Sequence, residues 1–396
     1  MVEYKTLNNG LIIVDDFDTT SRLCNVGIFI RGGSVADGSN SGIAHFLEHI
    51  VYATIKKRTE KSNKVSIINA YTGREFTAYN FTATSDMFEF VFNNFMDAFS
   101  NPDFSLTNIN EQKKVIEKEI MFSNETQRNI LIEQILDSLY ENKKISSSIT
   151  GSVDSLNEIT QDNLITYYQN NYVPSKMVIS VSGGVDMNRF LHNLNACDMI
   201  KNSDDTCCRP HFDYNDLDII RKQNSNRTIK EMNTQILLNK NYIAPHLSDV
   251  NEARIFKLVS ILIGGGIFSD IFNKIQKEKG LSYCLYSKYI PYSKWGFFTI
   301  SVALNLEDLE TVESTLKEII RHRREKGITD NELLKIKALY KLQFLQQIEN
   351  SYNVMEYYAK QLLFGEKAVN ADEELFAVSN ITKSDVNFVI QKYLSE

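Results

Sequence analysis

The chain has 396 residues, of which 43% are hydrophobic and 23% charged, and its formal net charge is −7. This length exceeds one ordinary hydrophobic core, since domains commonly hold about 100–200 residues, so we predict two domains. The composition excludes a disordered chain. The acidic balance argues against general binding of nucleic acid or of anionic membranes, because phosphate contacts need clustered Lys and Arg.

The five cysteines show neither a disulfide framework nor the spacing of a cysteine-based zinc site. Cys207 and Cys208 lie close to His211, but adjacent cysteines cannot easily bind one zinc ion tetrahedrally. The first residues lack a basic stretch followed by an apolar run, and no apolar segment approaches the roughly 18 residues that span a bilayer. We therefore expect a cytoplasmic protein without a transmembrane segment.

Strand signals open the chain, with apolar runs at 11–14 and 26–30. A loop rich in glycine and polar residues, 31–41, then leads into a predicted helix at 42–51. The charged stretch 56–64 is predicted to be an exposed loop.

An alternating run of β-branched and aromatic residues at 76–83 predicts another strand. Between Phe88 and Phe99, large apolar residues recur every three or four positions, which indicates an amphipathic helix whose aromatic stripe packs in the core. Further elements are predicted as helices at about 107–121 and 163–172 and as a strand at 177–182.

The second half of the chain repeats features of the first. Residues 156–164 and 378–386 are similar, and in each a threonine, Thr160 or Thr382, stands three residues before Asn or Asp, which predicts a capped helix start. The strand run and helical stretch within 235–262 take the place of the first half's strand and helix, without a histidine pair. Two copies of one α+β unit are therefore predicted, with metal ligands in the first copy only.

The segment from His45 to His49, His-Phe-Leu-Glu-His, carries the clearest chemistry. On a helix the two histidines lie one turn apart on the same face and can bind one metal ion. Glu48 stands beside them as a base for water, whose pKa a catalytic zinc lowers towards about 7. The order His-x-x-Glu-His is the inverse of the commoner zinc-peptidase order and forms a motif class of its own. The alternative is a pair of partly buried helix histidines that bind no metal.

A catalytic zinc normally takes three protein ligands and a water. Glu119 is the preferred third ligand, because it lies on a predicted helix beside the apolar Ile116 and Ile120. Glu111 and Glu117 are competitors on the same helix, and the residue pattern alone separates the three poorly.

The chain resembles the inverzincin family of pitrilysin, insulinase and the mitochondrial processing peptidase over nearly its whole length. The resemblance is carried by the segments 31–34, 42–49, 69–77 and 115–119. It implies an α+β fold of two homologous α/β-sandwich domains, each a mostly antiparallel sheet covered by helices.

The polar stretch 201–228 is the best candidate for an interdomain linker. With the repeat it predicts a zinc-binding catalytic domain at 1–205, a linker at 206–228 and a homologous, metal-free substrate-binding domain at 229–396. The family resemblance assigns site residues. It implies that Glu119 completes the zinc site. Asn69 and Ala70 would contact the peptide backbone by strand addition, which selects extended or unfolded chains.

Two positions depart from the family pattern. Seven residues before the third ligand, where the family often has a second glutamate that supports the metal, this chain has Gln112, with Glu111 beside it. In the second half Tyr283 matches a substrate-holding tyrosine, but the matching arginine position is Gln276. A neutral amide cannot replace the charged fork of a guanidinium.

The resemblance implies a zinc-dependent metalloendopeptidase, with Zn²⁺ as cofactor, that hydrolyses small or unfolded peptides. The departure at Gln276 implies a zinc-bearing subunit whose homologous, metal-free partner supplies an Arg and a Tyr; a homodimer is the alternative. Maturation of peptide bacteriocins is a candidate process by analogy. A non-catalytic structural subunit of the same fold and a hydrolase of non-peptide substrates are the other functions considered, and the intact histidine pair argues against the first of these.

Overall fold

The computed structural model describes residues 2–18, 20–60, 66–126, 128–195, 197, 227–231, 235–365 and 367–395. The chain forms two compact units. The first comprises Met1–Ile130, Ser147–Asp216 and Gln347–Asn370, and the second comprises Leu131–Ser146, Leu217–Gln346 and Ala371–Glu396. Each half of the sequence therefore contributes one segment to the unit that the other half mainly builds.

The first unit contains a six-stranded sheet in the order β1-β2-β6-β3-β5-β4. All neighbouring strands are antiparallel except β2 and β6, which are parallel, so the predicted, mostly antiparallel sheet is confirmed. The strands are β1 Glu3–Thr6, β2 Ile12–Phe17, β3 Leu23–Arg31, β4 Ile67–Thr72, β5 Phe76–Thr84 and β6 Met177–Gly183.

The second unit contains a four-stranded antiparallel sheet in the order β7-β8-β10-β9. Its strands are β7 Arg227–Glu231, β8 Ile236–Ile243, β9 Leu285–Pro291 and β10 Gly296–Leu304.

Helices lie between the strands in both halves. In the first half they are α1 Ile43–Glu60, α2 Phe88–Ser100, α3 Leu106–Thr126, α4 Arg128–Leu139, α5 Lys143–Ser146, α6 Val153–Glu158, α7 Gln161–Asn171 and α8 Met187–Leu194. In the second half they are α9 Val250–Gly264, a π-helix Phe272–Glu278, α10 Leu309–Lys326, α11 Asp330–Ile348, α12 Ser351–Phe364, α13 Ala371–Ser379 and α14 Lys383–Tyr393.

The first unit is layered, with helices on both faces of its sheet. On one face α1, α2 and α3 bury the larger core, in which the aromatic stripe of α2 from Phe88 to Phe99 is at most 1% exposed, as predicted. On the other face α12 covers Val14, Phe29 and Val178 of the strands. These two layers hold α1 and the edge strand β4 in fixed positions within the unit.

The predicted helix starts at Thr160 and Thr382 are confirmed. Each threonine accepts a hydrogen bond from the backbone three residues on, at 3.2 Å, and its own backbone N–H donates to the Asn163 or Asp385 side chain. These reciprocal contacts are capping boxes, which satisfy backbone donors that a helix start leaves open. The matching order of strand, helix, hairpin and two helices in both halves supports the repeat.

Helix α1 extends further than the sequence predicted. The prediction of a loop at 56–64 is wrong for 56–60, because α1 continues to Glu60. Lys57 and Arg58 lie in its last turn, where positive side chains favour the negative end of the helix dipole. Most of the predicted linker 206–228, together with Cys207, Cys208 and His211, lies outside the described residues.

Candidate metal centre

Helix α1 begins at a buried carboxylate. Asp37 accepts hydrogen bonds from the backbone N–H groups of Gly42, at 2.7 Å, and Ala44, at 3.1 Å. Burial raises the pKa of Asp37 to about 7, although these hydrogen bonds act in the opposite direction. Gly42 has φ of 89°, and a Cβ there would meet the carbonyl oxygen of Thr150 at 2.7 Å. The start of the helix, and with it the position of the histidines, is therefore tightly fixed.

The structure brings the histidine pair together with Glu119. The His45 and His49 rings lie one turn apart on α1, with centroids 4.6 Å apart and planes at 71°. One carboxylate oxygen of Glu119 lies 3.6 Å from Nε2 of His45, and the other lies 3.3 Å from Nε2 of His49. Candidate ligand atoms of all three residues lie within 4.8 Å of one another.

These spacings fit a zinc ion. Zinc binds imidazole nitrogen and carboxylate oxygen at roughly 2.0–2.2 Å, and tetrahedral geometry then places two ligand atoms about 3.4 Å apart. Each imidazole Nε2 lies close to that separation from one oxygen of Glu119, at 3.6 Å for His45 and at 3.3 Å for His49, and the two contacts use different oxygens of the carboxylate. Two imidazoles and a carboxylate also match the donor set of catalytic zinc sites, which leave one position open.

The three side chains are electrostatically coupled. Hydrogen bonds from His45 and His49 hold the pKa of Glu119 well below its usual range, so this carboxylate is ionised and available as a ligand. Burial lowers the pKa of His49, but the hydrogen bond to Glu119 and the charge of Glu48 outweigh it and raise that pKa. Nδ1 of His45 is buried and has no hydrogen-bond partner among the described residues.

Glu48 lies beside the cluster in a buried position, with 6% of its surface exposed. Burial raises the pKa of its carboxyl group, while the neighbouring His45 and His49 act to lower it. The hydroxyl of Thr72 donates a hydrogen bond to Oε2 of Glu48 at 3.2 Å. A carboxylate with a raised pKa is a stronger base than one in water, and the hydroxyl fixes its orientation.

Helix α3 separates the competing candidates for the third ligand. Glu117 is two residues from Glu119, which places it about 200° around the helix and away from the histidines. Gln112 is two turns before Glu119 on the same face, and its side chain hydrogen-bonds His49. Glu111 is exposed. Of the two residues considered as support for the metal ligands, Gln112 is therefore the one in contact.

Asn69 and Ala70 lie on β4, the edge strand of the first sheet. They pair with Asn80 and Tyr79 of β5, and the other side of β4 pairs with no strand in the described part of the chain. The strand ends at Thr72, whose side chain touches Glu48. An unpaired strand edge thus runs up to the buried carboxylate.

Tyr283 belongs to the second unit, where its side chain is 93% exposed. Gln276 lies in the π-helix of the same unit. Tyr283 stays a predicted position for substrate recognition, and Gln276 stands where the family pattern has an arginine.

Sequence reasoning did not single out Asp37 or Thr72. Thr72 lies within the segment 69–77 that carried the resemblance, and its position two residues after Ala70 places both side chains on the same face of β4. An acidic residue just before a predicted helix often accepts hydrogen bonds from the first backbone N–H groups of that helix, and this signal could have identified Asp37.

A His-x-x-Glu-His helix that meets a carboxylate from a second helix, on a fold of two related α+β units, defines a protein of the inverzincin class. The insulinase model of peptidase family M16 matches residues 13–153, and the model of the M16 inactive domain matches residues 158–340. The chain belongs to the insulinase family, peptidase family M16.

Relatives of known sequence agree with this assignment. The chain is 23% identical over 411 residues to a Bacillus subtilis protein described as the uncharacterized zinc protease YmxG, covering 100% of this chain and 96% of that protein. It is 28% identical over 187 residues to the beta subunit of the mitochondrial-processing peptidase of Neurospora crassa, covering 46% of this chain and 39% of that subunit.

Solved structures show the same fold. A protease from Helicobacter pylori superposes with a TM-score of 0.85 at 17% identity and covers 100% of this chain and 97% of its own. The peptidase M16 inactive domain from Pseudomonas fluorescens superposes with a TM-score of 0.83 at 14% identity, covering 100% of this chain and 95% of its own.

Among the described residues, no helix combines the length and apolar character that crossing a membrane requires. The cytoplasmic location stays a prediction.

Proposed function

We propose that the protein is a zinc-dependent metalloendopeptidase that hydrolyses small or unfolded peptides. The observation that supports this most directly is the Glu119 carboxylate, 3.6 and 3.3 Å from the Nε2 atoms of His45 and His49, with the buried Glu48 adjacent. His45, His49 and Glu119 would hold the zinc ion. A zinc ion in such a site polarises a carbonyl group and lowers the pKa of water.

Glu48 acts as the general base and then as the general acid. Its carboxylate takes one proton from the attacking water as the new carbon–oxygen bond forms, and passes that proton to the amine that leaves when the carbon–nitrogen bond breaks. Burial supports this role, because it raises the pKa of Glu48 and so increases the affinity of the carboxylate for the proton. The hydroxyl of Thr72 holds the carboxylate in place.

The peptide binds in extended form along β4. Asn69 and Ala70 offer backbone donors and acceptors on a strand edge that no described strand covers. An added peptide strand would pair with this edge and reach the base at its Thr72 end. This geometry selects unfolded segments, because a folded substrate has its backbone groups already paired.

We also propose that the chain works as the zinc-bearing subunit of a dimer. The absence of an arginine at Gln276, seven residues before Tyr283, favours a heterodimer with a homologous, metal-free chain that supplies the Arg and Tyr. The mass of the purified protein and its activity with and without candidate partners test this. Full activity of a monomer at micromolar concentration contradicts it.

The deciding experiment compares the wild-type chain with Glu48→Gln. Elemental analysis is expected to find one zinc per chain in both proteins, whereas cleavage of an unfolded, fluorescence-quenched peptide is expected from the wild type alone and is lost with a chelator. Full activity of Glu48→Gln would contradict the proposed mechanism. Zinc-free protein that still cleaves the peptide would contradict the metal assignment.

A further inference from the structure

Polar side chains tie helix α12 to the edge strand β4. The hydroxyl of Tyr71 on β4 donates a hydrogen bond to Oε1 of Glu356 on α12, at 2.6 Å. The side chain of Tyr352, one turn earlier on α12, hydrogen-bonds Asn69 of β4 and Asn80 of β5. All five residues belong to the first unit. The strand proposed to receive the peptide is therefore held by side chains as well as by its pairing with β5.

Glu356 is itself fixed by its neighbours. Nζ of Lys360, one turn further along α12, donates to Oε2 at 2.7 Å, and the hydroxyl of Tyr352 donates to Oε1 at 3.4 Å. The same ammonium group lies 5.8 Å from the ring centroid of Tyr71 and 5.5 Å from that of Phe76, at the start of β5. Hydrogen bonds to an ionised carboxylate are shorter and stronger than those between neutral groups. Glu356 therefore fixes the position of Tyr71 more firmly than apolar packing alone would.

The alternation of side chains along β4 connects this contact to the proposed base. Successive side chains of a strand point to opposite faces of the sheet. Tyr71 packs in the layer that contains α12, and Ala70 packs in the layer that contains α1. Thr72 follows Tyr71 and donates to Oε2 of Glu48 on α1. Two adjacent residues of β4 thus link Glu356 on one face of the sheet to Glu48 on the other.

Strand β4 needs these contacts because it lies at the edge of the sheet. It pairs with β5 on one side, and no strand in the described part of the chain pairs with its other side. A central strand is held by two ladders of backbone hydrogen bonds, whereas an edge strand has one. Misplacement of a catalytic group by about 1 Å can lower a rate about a hundredfold, even when the altered residue is remote from the chemistry. A tether on the face of β4 opposite the base can therefore control both peptide pairing and the orientation of Glu48.

We propose that Glu356 is a positioning residue of the candidate site. It acts through Tyr71, because the hydrogen bond between them holds β4 where a peptide can pair with it and where Thr72 reaches Glu48. This inference rests on the proposed peptidase function. It identifies a residue from the second half of the sequence on which the site in the first half depends.

A matched pair of variants tests this role. Glu356→Leu removes the acceptor of the Tyr71 hydroxyl, whereas Gln361→Leu, on the same helix, removes two hydrogen bonds to the backbone of Val369, of 2.8 and 3.2 Å. Urea unfolding measures the stability that each variant loses. Glu356→Leu is expected to raise KM for the unfolded peptide about fivefold and to lower kcat about fivefold, and Gln361→Leu is expected to change neither. Equal changes in both variants would overturn the inference, because they would come from destabilisation of α12.

Two further variants isolate the hydrogen bond. Glu356→Gln keeps an oxygen that can accept from Tyr71 and is expected to retain most of the activity. Tyr71→Phe removes the bond from the side of the strand, and it is expected to reproduce the changes in KM and kcat even where Glu356→Leu folds poorly. The inference fails if Tyr71→Phe has wild-type kinetics, or if Glu356→Gln loses as much activity as Glu356→Leu.

A double-mutant cycle tests the route through Thr72. If Glu356 affects the base only by placing Thr72, then Glu356→Leu is expected to lower kcat about fivefold in the wild type and not at all in the Thr72→Val background. The rise in KM is expected in both backgrounds, because peptide pairing along β4 does not need the Thr72 hydroxyl. Independent losses of kcat that multiply in the double variant would overturn this route.

Binding separates this inference from the proposed function. In the Glu48→Gln background, calorimetry with the unfolded peptide is expected to show about fivefold weaker binding for Glu356→Leu and unchanged binding for Gln361→Leu. If this difference is found but the wild type cleaves no peptide, the peptidase function fails and the positioning of β4 stands. If the wild type cleaves peptides while Glu356→Leu binds and cleaves them equally well, the positioning role fails alone.

Discussion

Thr72 gives the sharpest test of how the fold orients the proposed base. Its hydroxyl donates to Oε2 of Glu48 at 3.2 Å, and the carboxylate is buried, with 6% exposure. Thr72→Val replaces the hydroxyl with a methyl group of similar shape, so it removes this hydrogen bond, and the 3.4 Å contact with the hydroxyl of Thr77, with little change in packing. The candidate metal ligands are left untouched.

A hydrogen bond to a charged group contributes about 1.5–3 kcal/mol, and the 3.2 Å length places this one at the low end. If the bond orients Glu48 during proton transfer, about 1.4 kcal/mol is lost from the transition state, which corresponds to roughly a tenfold lower kcat. KM is expected to change little, because Thr72 holds the base and not the peptide.

The assay is steady-state cleavage of the quenched peptide by the wild type, Thr72→Val and Thr72→Ser, with zinc measured in each preparation. Thr72→Ser keeps the hydroxyl and is expected to retain most of the activity. The reasoning is refuted if Thr72→Val and Thr72→Ser lose activity equally, or if Thr72→Val loses its zinc, since the effect would then come from packing or from the metal.

The remaining predictions concern charge, ligation and the edge strand. Burial raises the pKa of Asp15 from 3.8 to about 7, so the folded state keeps a proton that the unfolded state loses, and this contribution to stability falls as pH rises from about 4 to about 7. The substitution Asp15→Asn is therefore expected to raise the free energy of unfolding by about 2 kcal/mol more at pH 8 than at pH 4, a figure reduced for solvent screening. Equal effects of the substitution in urea unfolding at both pH values would contradict this. Glu119→Gln is expected to lose zinc by elemental analysis while Glu117→Gln retains it, and the opposite result would exchange their roles. Tyr71→Phe removes a 2.6 Å hydrogen bond to Glu356 and is expected to lower the free energy of unfolding by about 1.5 kcal/mol. Because this loosens β4, KM for the peptide is also expected to rise. An unchanged KM would contradict this.

Much of the site could be predicted from local spacing. His45 and His49 are one helical turn apart, so any helix through them brings both imidazoles to one face. The same periodicity separates Gln112 from Glu111, because a seven-residue interval from Glu119 completes two turns. The contact between Thr72 and Glu48 depends on how β4 packs against α1, and residue spacing contains no information about that packing.

The sequence predicts where many of the helices lie, but it does not predict which sheet each helix covers. The capping residues at Thr160 and Thr382 and the aromatic stripe of α2 identify helices from short-range chemistry alone. The apolar face of α12, with Met355 and Leu362 buried, shows that the helix packs on something. An apolar stripe is equally suited to either sheet, so the pattern does not reveal that α12 joins the unit of the first half.

The exchange of segments between the two units has a consequence for the integrity of the chain. A fragment that stops before Gln347 would keep both histidines and Glu119 but would leave Val14, Phe29 and Val178 without the helix that shields them from water. A large exposed apolar sheet face of this kind promotes aggregation. We therefore expect that the half that bears the histidines does not fold stably by itself. A frameshift near residue 347 would abolish the activity proposed for the candidate site, because it would expose the sheet on which that site is built.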